Sequence, residues 1–129
     1  MNKLTEKLQV KAGTKWLFFN APGNYLPLIE PLPNDVQTDF EPAGEYNGIQ
    51  LFIKNSTELA DALAVIQHLL KPDTIFWITY PKKASGIKTD LEMMGSWDAP
   101  TALGLRIVTS VSVNETWTAL RFKPIEHTK

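Results

Sequence analysis

The stretch ITYPKKASGIKTD, residues 78–90, gathers Lys82, Lys83 and Lys88 around Ser85, Gly86 and Thr89. Ammonium groups, a hydroxyl and a glycine-bearing backbone are the means by which a loop holds phosphate or carboxylate. Two other polar turns offer further donors. Asn20 opens the turn NAPG (20–23), and Asn55 opens NST (55–57). Asn20, Asn55, Lys82, Lys83, Ser85 and Lys88 are therefore the candidate ligand-binding residues, and the implied ligand is small and anionic. The plainer reading is that three lysines solvate a long loop, as lysines usually do.

The known chemical signatures are absent. A Walker A loop needs G-x-x-x-x-G-K-[ST], but Ile87 separates Gly86 from Lys88, and no glycine stands five positions before Gly86. That spacing is what aims backbone N–H groups at phosphates. There is no G-x-G-x-x-G, and the turn after the first apolar run holds the single glycine Gly23, which weighs against S-adenosylmethionine as well as dinucleotides. No G-x-S-x-G elbow supports a serine nucleophile. His68 and His127 have no second histidine or carboxylate at ligand spacing, so no metal site is expected. Asp39 and Glu41 would share a face of an extended segment, but without burial they read as solvated carboxylates. No cofactor follows from these residues.

The elements that must position the candidates are clear in the middle of the chain. The runs WLFF (16–19), LFI within 49–54, and IFWI (75–78) are short, aromatic or β-branched, and apolar on both faces. Strands buried on both faces belong to parallel sheets covered by helices. Between the second and third runs, Leu59, Leu63, Ile66 and Leu70 recur at helical spacing, with Asn55 as N-cap and Glu58 three residues later. Lys71 and Pro72 end that helix. Strand–helix–strand over 49–80 is one βαβ unit.

The flanks are read more coarsely. Residues 3–10 offer one or two helical turns. Five prolines between 21 and 48 rule out a long helix there, leaving a turn of helix near 24–30 and a short edge strand at 36–40. A helical turn is expected at 91–94, then a short helix capped by Ser96 and closed by Gly104. Residues 105–113 and 116–123 form strands joined by Asn114 and Glu115, an antiparallel hairpin. The expected fold is a small three-layer Rossmann-like α/β sheet with central parallel strands and a C-terminal antiparallel hairpin. In layout it resembles the back half of Rossmann-like methyltransferase folds.

Composition bounds the class. The 129 residues suit one α/β domain spanning 1–129. Net charge is −1, so no global attraction to nucleic acid or an anionic membrane is expected. Cysteine is absent, the N-terminus lacks an apolar signal core, and no apolar run reaches membrane length, so a cytoplasmic protein is expected.

The segments LFFNAP, ITYPKKASGIKTDL and VSVNETWTALRFKP are similar to those of a family of small uncharacterised bacterial proteins. The resemblance runs roughly from Leu8 to Pro124. It implies a bacterial cytoplasmic setting and supplies no activity or site residues.

Three functions compete. The first is a non-catalytic small-ligand or anion-binding domain using the loops at the carboxyl ends of the parallel strands. The second is an accessory module that meets a protein partner, or its own copy, through the hairpin edge, Trp117 or the proline-rich segment. The third is a degenerate Rossmann-like enzyme working through Tyr80, Ser85 or Asp90. It ranks last because no base lies at readable spacing from a nucleophile.

Overall fold

Along the strand Ile75–Pro81, Phe76, Ile78 and Tyr80 enter one apolar cluster, and Ile75 and Trp77 enter another. The pleat sends alternate side chains to opposite faces, so a strand buried on both faces needs cover on both sides. The computed structural model provides it, and describes residues 3–23, 25–30, 32–71, 73–82, 85–87, 89–91 and 97–124.

Six strands form the sheet: β1 (Lys15–Phe19), β2 (Gln37–Asp39), β3 (Gly48–Phe52), β4 (Ile75–Pro81), β5 (Leu105–Ser112) and β6 (Trp117–Pro124). Their order is β2-β1-β3-β4-β6-β5. The pairs β1–β2, β1–β3 and β3–β4 are parallel, and β4–β6 and β5–β6 are antiparallel. The expected α/β architecture, parallel in the centre with a closing hairpin, is the observed one.

The helices are α1 (Lys3–Leu8), α2 (Leu26–Ile29), α3 (Ser56–Ile66) and α4 (Asp98–Ala102). Leu59, Ala62, Leu63 and Ile66 of α3 pack on Leu17, Ile49, Leu51 and Ile78, and Trp97 before α4 joins them. On the other face Leu8 and Ile29 pack with Trp16, Phe18, Phe52 and Trp77. Two tryptophans near the chain's end, Trp97 and Trp117, are core. Trp97 meets Tyr80 edge-on at 5.4 Å, and Trp117 meets Phe52 edge-on at 5.6 Å. Among the described residues, no helix is long and apolar enough to cross a membrane.

Three boundaries differ from expectation. α3 stops at Ile66, a 3-10 turn covers Gln67–Leu69, and Leu70 is already extended with ψ 123. The residue before a proline is pushed out of the helical region, and here the change begins still earlier, where the Thr74 hydroxyl accepts from the Lys71 N–H at 3.0 Å. The hairpin loop takes four residues, 113–116, instead of two. The Asn114 Oδ1 accepts from both Thr116 and Trp117 N–H groups at 2.8 and 2.9 Å, so a side chain makes the turn that a tight backbone turn would otherwise make. Trp97, without a side-chain cap, takes the N-cap position of α4. Ser96 and residues 92–94 lie outside the described residues. Gly104 follows the helix with φ +81, as a C′ glycine does.

Candidate functional site at the carboxyl edge of the parallel strands

In open α/β sheets ligands bind beyond the carboxyl ends of the strands. Here β1 ends at Phe19, and Asn20 follows with φ 63. Asparagine tolerates that left-handed conformation better than other non-glycine residues, so the chain turns sharply with no glycine at the bend. Gly23 is not a close-approach glycine, since a Cβ there would meet nothing within 4 Å.

Between this turn and α3 lies a groove of about 390 Å³, lined by Phe19, Asn20, Glu58, Asp61, Ala62 and Val65. Glu58 and Asp61 stand three residues apart, on one face of α3. Val65, 45% exposed, gives the groove an apolar lip. Two carboxylates here repel anions. They suit a cation or hydroxyl donors.

The next strand end is bound up with its own helix. The Asn55 Oδ1 accepts from the Glu58 N–H at 2.8 Å, and the Glu58 Oε1 accepts from the Lys54 N–H at 3.1 Å. These are N-cap bonds, as the sequence suggests. The Asp90 carboxylate then accepts from both the N–H and the hydroxyl of Ser56. Those bonds, first the hydroxyl and then the amide, hold the Asp90 carboxyl below its ordinary range. The amino end of α3 favours an anion, and the protein supplies that anion itself.

The lysine loop is held by local bonds. Lys82 donates its N–H to the Thr116 carbonyl at 2.8 Å and its ammonium to the Ser112 hydroxyl at 2.6 Å, which draws it to the hairpin. The Ser85 hydroxyl donates to the Lys82 carbonyl at 2.6 Å and accepts from the Ile87 N–H at 3.1 Å. Gly86 bends at φ +82, and Leu91 returns the chain to the core. Lys83 and Lys88 lie outside the described residues. Of the six candidates, Asn20 lines the groove, Asn55 serves α3, and Lys82 and Ser85 fasten the loop.

Sequence reasoning missed the acidic pair and a buried polar chain. Glu58 reads as a cap and Asp61 as the wet side of a helix, and only the turn at Asn20 makes them a wall. The Tyr25 hydroxyl donates to the Gln50 Oε1 at 2.6 Å, and the Gln50 amide donates to the Thr79 hydroxyl at 2.8 Å, all inside the sheet face under α2. Asp39 is also engaged. It accepts from the Tyr46 hydroxyl at 2.7 Å and lies 3.6 Å from the Lys15 ammonium. Burial first, and then Asp39, pushes the Tyr46 hydroxyl up.

No family model and no curated protein matches the chain, in keeping with a resemblance that brings no activity with it. Solved structures do match. A protein of the NADB-Rossmann superfamily from Streptococcus agalactiae is similar with a TM-score of 0.58 and 12% identity, over 96% of this chain and 68% of that one. The protein MtNAS in complex with S-adenosylmethionine is similar with a TM-score of 0.61 and 12% identity, over 93% of this chain and 58% of that one. An S-adenosylmethionine-dependent methyltransferase from Aquifex aeolicus is similar with a TM-score of 0.56 and 14% identity, over 93% of this chain and 87% of that one. The chain thus spans less than two thirds of MtNAS. At these identities the likeness establishes a Rossmann-like fold.

The expectation of a non-catalytic anion-binding domain is corrected. The fold is one shared with methyltransferases, the described groove is acidic, and Asp90 occupies the amino end of α3. The accessory-module alternative loses its aromatic contact, since Trp117 is only 8% exposed.

Proposed function

We propose that this chain is an enzyme of methyl transfer whose groove beside Asn20 takes a nucleoside-bearing sulfonium donor of the S-adenosylmethionine class. The observation that carries this reading is the acidic groove at the carboxyl end of β1, in a fold similar to that of a protein solved in complex with S-adenosylmethionine. The residues suit such a ligand. Carboxylates at Glu58 and Asp61 accept from ribose hydroxyls and favour a positive sulfonium. Asn20 offers an amide for either edge of a base, and Phe19 and Val65 give apolar contact. When bound, the donor supplies an electrophilic methyl group. The chain's own part is to hold the donor and exclude water. The lack of cysteine and the bacterial resemblance support a reducing, cytoplasmic setting.

Calorimetric titration tests the reading. S-adenosylmethionine and S-adenosylhomocysteine should each give saturable heat, while ATP and inorganic phosphate give none. Asp61→Asn should weaken binding about tenfold, in the range of one hydrogen bond to a charged group. Absence of heat with both sulfur nucleosides, in protein with an intact circular-dichroism spectrum, would remove the proposal.

A further inference from the structure

A second cavity, of about 520 Å³, opens at the opposite edge of the sheet from Asn20. Its origin lies in the helices. α3 ends at Ile66, after which only Leu69 and Leu70 of the 3-10 turn and its end still pack on the cluster, and α4 has only five residues. The starts of β4 and β5 and the end of β6 are therefore under-covered on that face. The floor is apolar. Phe76 and Phe122 lie with ring centroids 6.3 Å apart, and Leu105 is beside them. All three are nearly inaccessible, at 2%, 1% and 7% exposure, yet line the cavity. Leu103, held outward before Gly104, is 40% exposed at the rim. The polar lining comes from the chain leaving α3, where His68 and Lys71 contribute nitrogen donors.

We infer that this cavity binds a small amphipathic carboxylate, with its acyl or aromatic body on Phe76, Phe122 and Leu105 and its carboxylate at Lys71. Volume and lining both fall in the range of small-molecule sites, with an apolar majority and a few polar groups. Charge fixes the polarity of the ligand. Lys71 pairs with Glu45 at 2.6 Å, but the two side chains are 51% and 80% exposed. An exposed pair of this kind is held weakly. A carboxylate already bound through its apolar body exchanges with Glu45 readily. Since the cavity lies away from the Asn20 groove, the inference is independent of the methyl-donor reading.

The test is a titration of the full chain with decanoate, decanol and decylamine below their micelle concentrations, followed by NMR. Decanoate should bind at one saturable site and shift the Leu105 and Phe122 resonances first. Decanol should bind about tenfold more weakly, and decylamine more weakly still. Lys71→Gln should bring decanoate down to the level of decanol and leave decanol unchanged. Leu103→Asp changes an exposed residue, so it should fold normally and abolish binding of all three. Shifts scattered over the surface, saturable binding untouched by Leu103→Asp, or decylamine binding as tightly as decanoate would each overturn the assignment.

Discussion

Tyr25 shows what single residues do here. Its phenol is buried among Phe18, Phe52 and the Gln50 amide, and burial drives its ionisation far above the ordinary range. The folded form therefore favours neutral tyrosine. Its contribution is complete below the unfolded value of about 10 and is lost as pH rises above it. Tyr25→Phe leaves the Gln50 Oε1 without its donor inside the sheet, which should cost about 1–3 kcal/mol in urea unfolding at neutral pH. The same variant should lose less stability than the parent between pH 10 and pH 11. A parallel decline of the two proteins would refute the assigned cause. Asp90 gives the opposite sign. Its carboxyl is held low by Ser56, so its contribution is present above the unfolded value of about 3.9 and is lost as pH falls through the lower folded one. Asp90→Asn should flatten the acid limb of stability, and amide exchange at Ser56 should quicken. Some of this was legible in sequence and some was not. Asn55 and Glu58 signal a cap because their partners are neighbours. Tyr25, Gln50 and Thr79 carry no such signal, because the bonds that define them cross 25 and 29 residues.

At the scale of elements, patterning located the strands well and the packing set their limits. β1, β3 and β4 follow from apolar runs, and α3 from its stripe of leucines. What periodicity does not show is how closely elements approach. Gly48 begins β3 beside β1, paired with Trp16. A Cβ there would fall 2.4 Å from the indole of Trp16, itself fully buried. The missing side chain of Gly48 thus makes room for the Trp16 indole. Gly48→Ala should destabilise by about 1–3 kcal/mol, the usual cost of overpacking, with Trp16 fluorescence altered in the folded state. A neutral substitution would mean that the indole moves aside at no cost. The short helices have the same lesson for function. Sequence announces that the helix ends at Lys71, but not that α3 stops five residues earlier, at Ile66, beside the second cavity. The acidic groove was hidden for a related reason. Glu58 and Asp61 line it together with Asn20, where the chain turns after β1 at positive φ.

For the whole molecule, the order β2-β1-β3-β4-β6-β5 has a thermodynamic consequence. The last strand in the sequence lies inside the sheet, between β4 and β5. Until β6 arrives, β4 has an open edge, and Phe76 lacks the Phe122 ring beside it. The two faces are also tied through the same strands, because β4 sends Trp77 to one cluster and Phe76 to the other. We propose on this basis that residues 1–129 unfold as one cooperative domain. The four tryptophans report on both layers. Trp16, Trp77 and Trp117 sit in the layer with α1 and α2, and Trp97 sits in the layer with α3 and α4. A Trp97→Phe variant reads the first layer alone, and its loss from the parent signal isolates the second. In urea, both fluorescence transitions and the far-ultraviolet circular dichroism should share one midpoint and one slope, of about 1–3 kcal/mol/M as for other small domains. If the hairpin instead released first, the fluorescence of the Trp97→Phe variant, which includes Trp117, would begin to change before the circular dichroism. Separate midpoints would divide the chain into two units, and both cavities would then belong to the layer with α3 and α4. A shared midpoint ties the stability of both sites to the placement of β6, so that a ligand bound at either edge of the sheet raises the stability of the whole.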